Sequence, residues 1–142
     1  MAMMNTQLNA WMMFAHAPTH FGDTEVVTKV GPGELHRYTY TDFAKRAQRL
    51  MHALDRIGVE PGERVATLAW NTYRHLECYF AVPCTGRVLH TLNLRLSVED
   101  LSYIIGHADD RVIMADPDML PLLEKIGDGL AKVKHIIVLD AS

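Results

Sequence analysis

At 142 residues, 49% of them hydrophobic, the chain has the material for one core of ordinary size and not for two. A formal net charge of −3 excludes a basic field able to hold nucleic acid or an anionic bilayer. Cys78 and Cys84 fit no zinc or redox spacing and are too few for a disulfide framework, so a reducing, cytoplasmic setting is expected.

Residues 1–14 are Met-rich but carry no Lys or Arg for a signal peptide, and no run approaches the roughly 20 apolar residues of an integral membrane segment. Within residues 6–16, Leu8, Trp11, Met12 and Ala15 recur at helical spacing, which predicts a short amphipathic helix ended by Pro18. Its polar face has no cation, which argues against a membrane-surface role. His16 and His20 are four apart, yet Pro18 lies between them and no acidic third ligand is near. They read as exposed loop histidines rather than metal ligands. Residues 25–30 and 35–40 flank Gly31-Pro32-Gly33-Glu34, a hairpin signature. Gly31 and Gly33 lack the third glycine and the helix of a phosphate loop, so turn chemistry accounts for them.

Residues 41–57 predict a helix with Thr41 as cap, a stripe of Phe43, Ala47, Leu50, Met51, Leu54 and Ile57, and Gly58 as its stop. Lys45, Arg46, Arg49 and Arg56 form its solvated side. Glu60-Pro61-Gly62-Glu63 then turns the chain into a buried strand over residues 64–69. A helix beginning at Asn71 or Thr72 places Leu76, Tyr79 and Phe80 toward a core and His75 and Glu77 nearer its rim, and Pro83 closes it. Gly86 precedes a strand over residues 88–92, and residues 93–96 leave it in a short connection. Ser97 caps the next helix in a near capping box with Asp100, with Leu101, Ile104 and Ile105 on one face. A turn at residues 107–110 leads to a strand over 111–115. Asp116-Pro117-Asp118 opens a helix around residues 119–126, which Gly127 and Gly129 end, and residues 135–139 form a last strand.

The order is hairpin, helix, then β-α-β-α-β-α-β. It predicts an α/β fold in one domain: an open, mainly parallel sheet with helices on its faces, preceded by an N-terminal helix and a β-hairpin. Ligands of such sheets sit at the carboxyl ends of the strands. Those ends hold Trp70 and Asn71, then Asn93 to Arg95, then Asp116, then Asp140. There is no G-x-G-x-x-G and no Walker lysine. Asp116 and Asp118 read as helix cap and first-turn acid rather than an acid–base pair. His90 reads as a core histidine satisfied by backbone or by Asn93 rather than a catalytic one. The residues alone therefore assign no catalytic, cofactor-binding or metal-binding side chain.

Three stretches carry a resemblance: residues 38–43; Arg64-Val65-Ala66 with Asn71, His75 and residues 79–81 after it; and above all Gly86-Arg87-Val88-Leu89-His90-Thr91-Leu92-Asn93-Leu94-Arg95-Leu96. They are similar to the opening of AMP-forming acyl-CoA synthetases of the adenylate-forming superfamily, and the last stretch resembles the medium- and long-chain fatty acyl-CoA ligases. Asp109-Asp110-Arg111-Val112 continues the match, which runs from about Leu8 to the last residue. Arg87 departs from the small residue expected after that glycine.

The resemblance implies a parent enzyme that joins a fatty acid to CoA through an acyl-adenylate, using ATP, Mg2+ and CoA and releasing pyrophosphate and AMP. It places the family's phosphate loop, adenine and ribose contacts, magnesium-holding acid and catalytic lysine beyond the equivalent of Ser142. The chain is therefore expected to be the N-terminal portion of a larger adenylate-forming domain, with the remainder of the parent as its partner, holding none of these cofactors and inactive alone. Gly86, His90, Thr91, Asn93 and Arg95 are family-motif residues with an expected structural role. The surface meant for the missing part should be apolar and prone to self-association or homodimer formation. A stand-alone, non-catalytic α/β binding or oligomerisation module is the alternative. A small flavodoxin-like nucleotide binder is a third reading, without a phosphate nest to support it.

Overall fold

The computed structural model describes residues 8–139. Short apolar strands alternate with helices long enough to cross back over them, and the result is a four-stranded sheet built from β3 (Arg64–Leu68), β4 (Val88–Thr91), β5 (Asp110–Ala115) and β6 (His135–Val138). All pairings are parallel and the order is β4-β3-β5-β6. The two central strands are buried on both faces, which their near-continuous apolar runs require. The crossover from β3 to β4 moves one way along the sheet and the two that follow move the other. Right-handed connections then put the helices on opposite faces.

On one face α2 (Tyr40–Arg56) and α3 (Tyr73–Ala81) pack through Leu54 and Cys78 onto Val65, Val112 and Met114. On the other, α4 (Val98–Ala108) and α5 (Leu120–Ile126) pack through Leu101, Ile105, Leu123 and Ile126 onto Ala66, Leu68, Ile113 and Ala115. The sheet residues of the two sets alternate along β3 and β5, as the twofold repeat of a strand demands. The hairpin of β1 (Glu25–Gly31) and β2 (Glu34–Thr39) forms its own antiparallel sheet. A third cluster holds it and α1 (Ala10–Phe21) against α2 and α3, with Phe14 5.8 Å from Phe43 and 6.1 Å from Phe80 between ring centroids.

The first helix departs from expectation at both ends. It starts at Ala10, where Asn9 Oδ1 accepts from Met12 N at 3.3 Å, and residues 6 and 7 of the expected span lie outside the described residues. It also runs through Pro18 to Phe21. Proline removes one backbone donor there, and the Thr19 hydroxyl donates to the Ala15 carbonyl at 2.8 Å nearby. The helix stops at Gly22, where a Cβ would stand 2.7 Å from Thr41 Oγ1 and 2.8 Å from the Pro18 carbonyl oxygen. His16 and His20 are therefore one turn apart on a helix, ring centroids 4.4 Å apart and both exposed, rather than in a loop.

The cap of α2 is Thr39, not Thr41. Thr39 Oγ1 accepts from Asp42 N and Asp42 Oδ2 accepts from Thr39 N, each at 3.2 Å, a reciprocal capping box. Only Thr39 has an acid three residues on, so the signal was in the sequence, two positions earlier. Thr41 instead donates its hydroxyl to the Gly22 carbonyl at 3.1 Å. Thr39→Ala is expected to lower the unfolding free energy by about 1 kcal/mol in a urea titration, with Thr39→Ser close to the parent. Ser97 caps α4 as expected, accepting from Asp100 N at 3.1 Å.

Among the described residues no helix is long and apolar enough to cross a membrane. β6 is an edge strand, and Ile136 and Val138 on it are 47% and 43% exposed.

Candidate functional site

The carboxyl ends of β3 and β4 open onto a cleft of about 270 Å³, lined by Trp70, Asn71, His75, Tyr79, Asn93 and Arg95 among others. Trp70, half exposed, is pinned twice. Its backbone N–H donates to Asp116 Oδ2 at 2.7 Å and its indole Nε1–H donates to Asp118 Oδ2 at 2.8 Å. Asp118 does lie in the first turn of the short helix that opens at Pro117, as expected, and the correction concerns Asp116 alone. Asp116 is buried and makes no side-chain cap, because a backbone donor 46 residues away takes its carboxylate. On the β4 side Asn93 Oδ1 accepts from Arg95 N at 3.0 Å, which folds residues 93–95 into a tight turn and leaves the Arg95 side chain exposed.

His75 and Glu77 were expected near the rim of α3 and Tyr79 toward the core. The structure reverses this: His75 and Glu77 are buried and Tyr79 is exposed. The polar pair can be buried because α3 packs against both β3 and α2, and each residue has a partner there. His75 Nε2 lies 2.9 Å from Thr67 Oγ1 on β3, and burial pushes its imidazole toward the neutral form. Arg46 Nε donates to Glu77 Oε1 at 2.6 Å. Burial raises the Glu77 carboxyl above its ordinary range, and the bond and charge of Arg46 oppose that rise. Arg46 is thus a structural partner and not only part of a solvated face. Beside them the Cys78 thiol is pushed up to about 12, chiefly by burial, so it behaves as a small apolar group.

His90 does not pair with Asn93 or backbone. Its Nδ1 lies 2.9 and 3.0 Å from the two carboxylate oxygens of Asp110, which is fully buried. His90 is on β4 and Asp110 on β5, and the two reach each other across β3. Ala66 stands opposite His90 in the register, and its methyl group leaves room for the imidazole. A bulge does the rest. Pairing shifts between Arg64 and Val65, so Asp110 rather than Arg111 stands opposite Arg64, and a slip of one residue turns a side chain to the other face. Burial raises the Asp110 carboxyl, and the bond and charge of His90 oppose the rise.

Of the motif residues, Thr91, Asn93 and Arg95 line the cleft, while His90 is turned to Asp110 and Gly86 lies before the amino end of β4 at φ 75°. Arg87, the departure from the motif, is buried; its Nε donates to the Val59 carbonyl at 2.9 Å and its Nη2 to Asp55 Oδ1 at 2.6 Å. It ties the start of β4 to the chain leaving α2.

Among the described residues no group of three or more His, Cys, Asp or Glu side chains converges as a metal site. The strand-end loops present mainly acceptors already in use, Asp116, Asp118 and Asn93, with Arg95 as the exposed cation. That donor set does not fit a triphosphate, which needs convergent N–H groups and positive charge.

A doubly wound α/β scaffold with a strand-end cleft and without its own phosphate cradle among the described residues is the class defined so far. The sequence matches the AMP-binding enzyme family over residues 14–142, and the chain belongs to that family. It is 49% identical over 138 residues to a long-chain-fatty-acid–CoA ligase of Thermus thermophilus, covering 97% of this chain and 26% of that protein. It is 40% identical over 137 residues to a medium-chain-fatty-acid–CoA ligase of Ectopseudomonas oleovorans, covering 96% and 25%. The chain thus spans about a quarter of the length of these relatives.

A solved structure from Rhodopseudomonas palustris, assigned as a long-chain-fatty-acid CoA ligase, superposes with a TM-score of 0.83 at 26% identity over 95% of this chain and 33% of its own. The N-terminal domain of FACL13 from Mycobacterium tuberculosis gives 0.82 at 23% identity over 94% and 34%, a likeness of fold. The expected fold class and family resemblance are therefore borne out.

Proposed function

We propose that this chain is the N-terminal part of an ATP-dependent fatty acyl-CoA ligase, which converts fatty acid, ATP and CoA to acyl-CoA, AMP and pyrophosphate through an acyl-adenylate. The observation that carries this reading is the 49% identity, over nearly the whole chain, to a ligase of which it covers 26%. In this reading the triphosphate, Mg2+ and CoA of the reaction are held by the rest of the parent, because the strand-end cleft lacks the convergent donors a triphosphate needs. The share of this chain is to shape one wall of the site. The Trp70 latch and the Asn93 turn hold the strand-end cleft in form, and Gly86, His90, Thr91, Asn93 and Arg95 act as scaffold rather than as reacting groups.

The uncovered edge of β6, with Ile136 and Val138, suits burial by the remainder of the parent. It is also where self-association of the isolated chain would begin. A cytoplasmic setting, with Cys78 and Cys84 both free thiols, belongs to the same proposal.

Replacing the matching quarter of the Thermus thermophilus ligase with this chain tests the assignment. The folded chimera is expected to keep AMP formation that depends on fatty acid, ATP and CoA, within about tenfold of the parent. The 142-residue chain alone is expected to form none. A folded chimera without turnover would overturn the assignment, and acid-dependent AMP release by the chain alone would overturn its dependence on the missing part.

A further inference from the structure

Where α2, α3 and the end of β6 meet, a second pocket of about 220 Å³ is lined by Arg46, Arg49, Leu50, Arg74, Glu77 and Leu139 together with Val138. It shares no lining residue with the strand-end cleft. Three guanidinium groups face one carboxylate. Glu77 is buried and bonded to Arg46, so that pair is neutral as a unit. Among the described residues neither Arg49 nor Arg74 has a carboxylate oxygen within 4.0 Å.

Arg74 carries a further signal. Its Nε is buried and has no acceptor among the described residues, although a guanidinium N–H removed from water ordinarily finds one. The group is also held in place: the Arg74 and Arg46 guanidinium carbons stand 4.9 and 5.4 Å from the centre of the Tyr73 ring. His36 stacks on that ring at 3.7 Å, and burial together with the charges of Arg46 and Arg74 keeps its imidazole below its ordinary range. The site is thus electropositive and partly preorganised.

We propose that this pocket is a binding site for a phosphate group, free or carried by a nucleotide. Two uncompensated guanidinium charges match the charge of about −2 on a phosphate monoester near neutral pH, whereas a single carboxylate would leave one unmatched. Planar guanidinium forks also suit tetrahedral oxyanions, to which they present parallel N–H donors. The proposal does not depend on the reaction assigned above, since the pocket lies apart from the cleft.

Calorimetric titration of the full 142-residue chain with inorganic phosphate, pyrophosphate and AMP at low ionic strength tests it. Saturable binding is expected for at least one of them. Arg74→Gln and Arg49→Gln are each expected to weaken it by about tenfold or more. Arg56→Gln, on α2 outside the pocket, is expected to leave it unchanged, with urea midpoints confirming that every variant is folded. Equal affinity for phosphate and AMP would identify the phosphate group alone as the ligand, and tighter AMP binding would identify a nucleotide carrier. Absence of saturable binding by all three, or an equal loss in Arg56→Gln, would overturn the proposal.

Discussion

His90→Phe is expected to lower the unfolding free energy by about 3 kcal/mol near pH 8 and by much less near pH 4. Asp110 is fully buried, and His90 is the partner that reaches both of its oxygens. Removing one member of a buried pair leaves the other's charge without compensation, typically 3–5 kcal/mol. The lower end applies here because the His90 side chain is 26% exposed and water screens that side.

The pH dependence follows from the direction of the Asp110 shift. Burial raises its folded-state pKa; His90 and, at longer range, Arg64 oppose the rise, while Asp109 adds to it. A carboxyl whose folded pKa lies above its unfolded value of about 3.9 contributes stability below that value and loses it as pH rises through the folded pKa. Without His90 the folded pKa climbs further, so the deficit of the variant should open as pH rises and level off above it. Urea titrations of both proteins across this range provide the check. A deficit that does not change with pH would show that lost packing, not the stranded carboxylate, is responsible. Asp110→Asn in the His90→Phe background should recover part of the loss near pH 8.

Arg87→Ala is expected to cost about 3 kcal/mol at neutral pH. The Arg87 side chain is 3% exposed, and its guanidinium donates to both the Val59 carbonyl and the Asp55 carboxylate. Truncation leaves a cavity and strips the Val59 carbonyl of its charged donor, two losses that add. Asp55→Asn should cost less than about 1 kcal/mol, because an amide oxygen at that position can still accept from Arg87 and the Asp55 end of the pair, 58% exposed, is screened by water. Chemical denaturation of the two variants separates the contributions. Equal losses would place the energy in the ion pair, and a loss from Arg87→Ala several times larger would place it in the buried carbonyl and the packing.

These two residues also mark where reading the chain stops. Hydrophobic periodicity, turn residues and caps repeat over spans of two to four residues, so the elements and their order, and through the handedness of crossovers the parallel sheet, were legible in the chain. The cap at Thr39 rather than the expected Thr41 and the helix continuing through Pro18 are differences of this same local kind, and the first is written in the Thr39–Asp42 capping box.

The side-chain pairings are of another kind. His90 meets Asp110 at a separation of 20 residues, Arg46 meets Glu77 at 31, Arg87 meets Asp55 at 32 and Trp70 meets Asp116 at 46. Each depends on strand register, a bulge, or the packing of two helices, none of which has a local pattern. His75 and Glu77 show the consequence most directly. By polarity they belong at a rim, and they are buried because folding brings Thr67 and Arg46 to them. Local preference specified which segments form and in what order, while desolvation, which acts only once distant partners are in place, selected the polar groups that the core could hold.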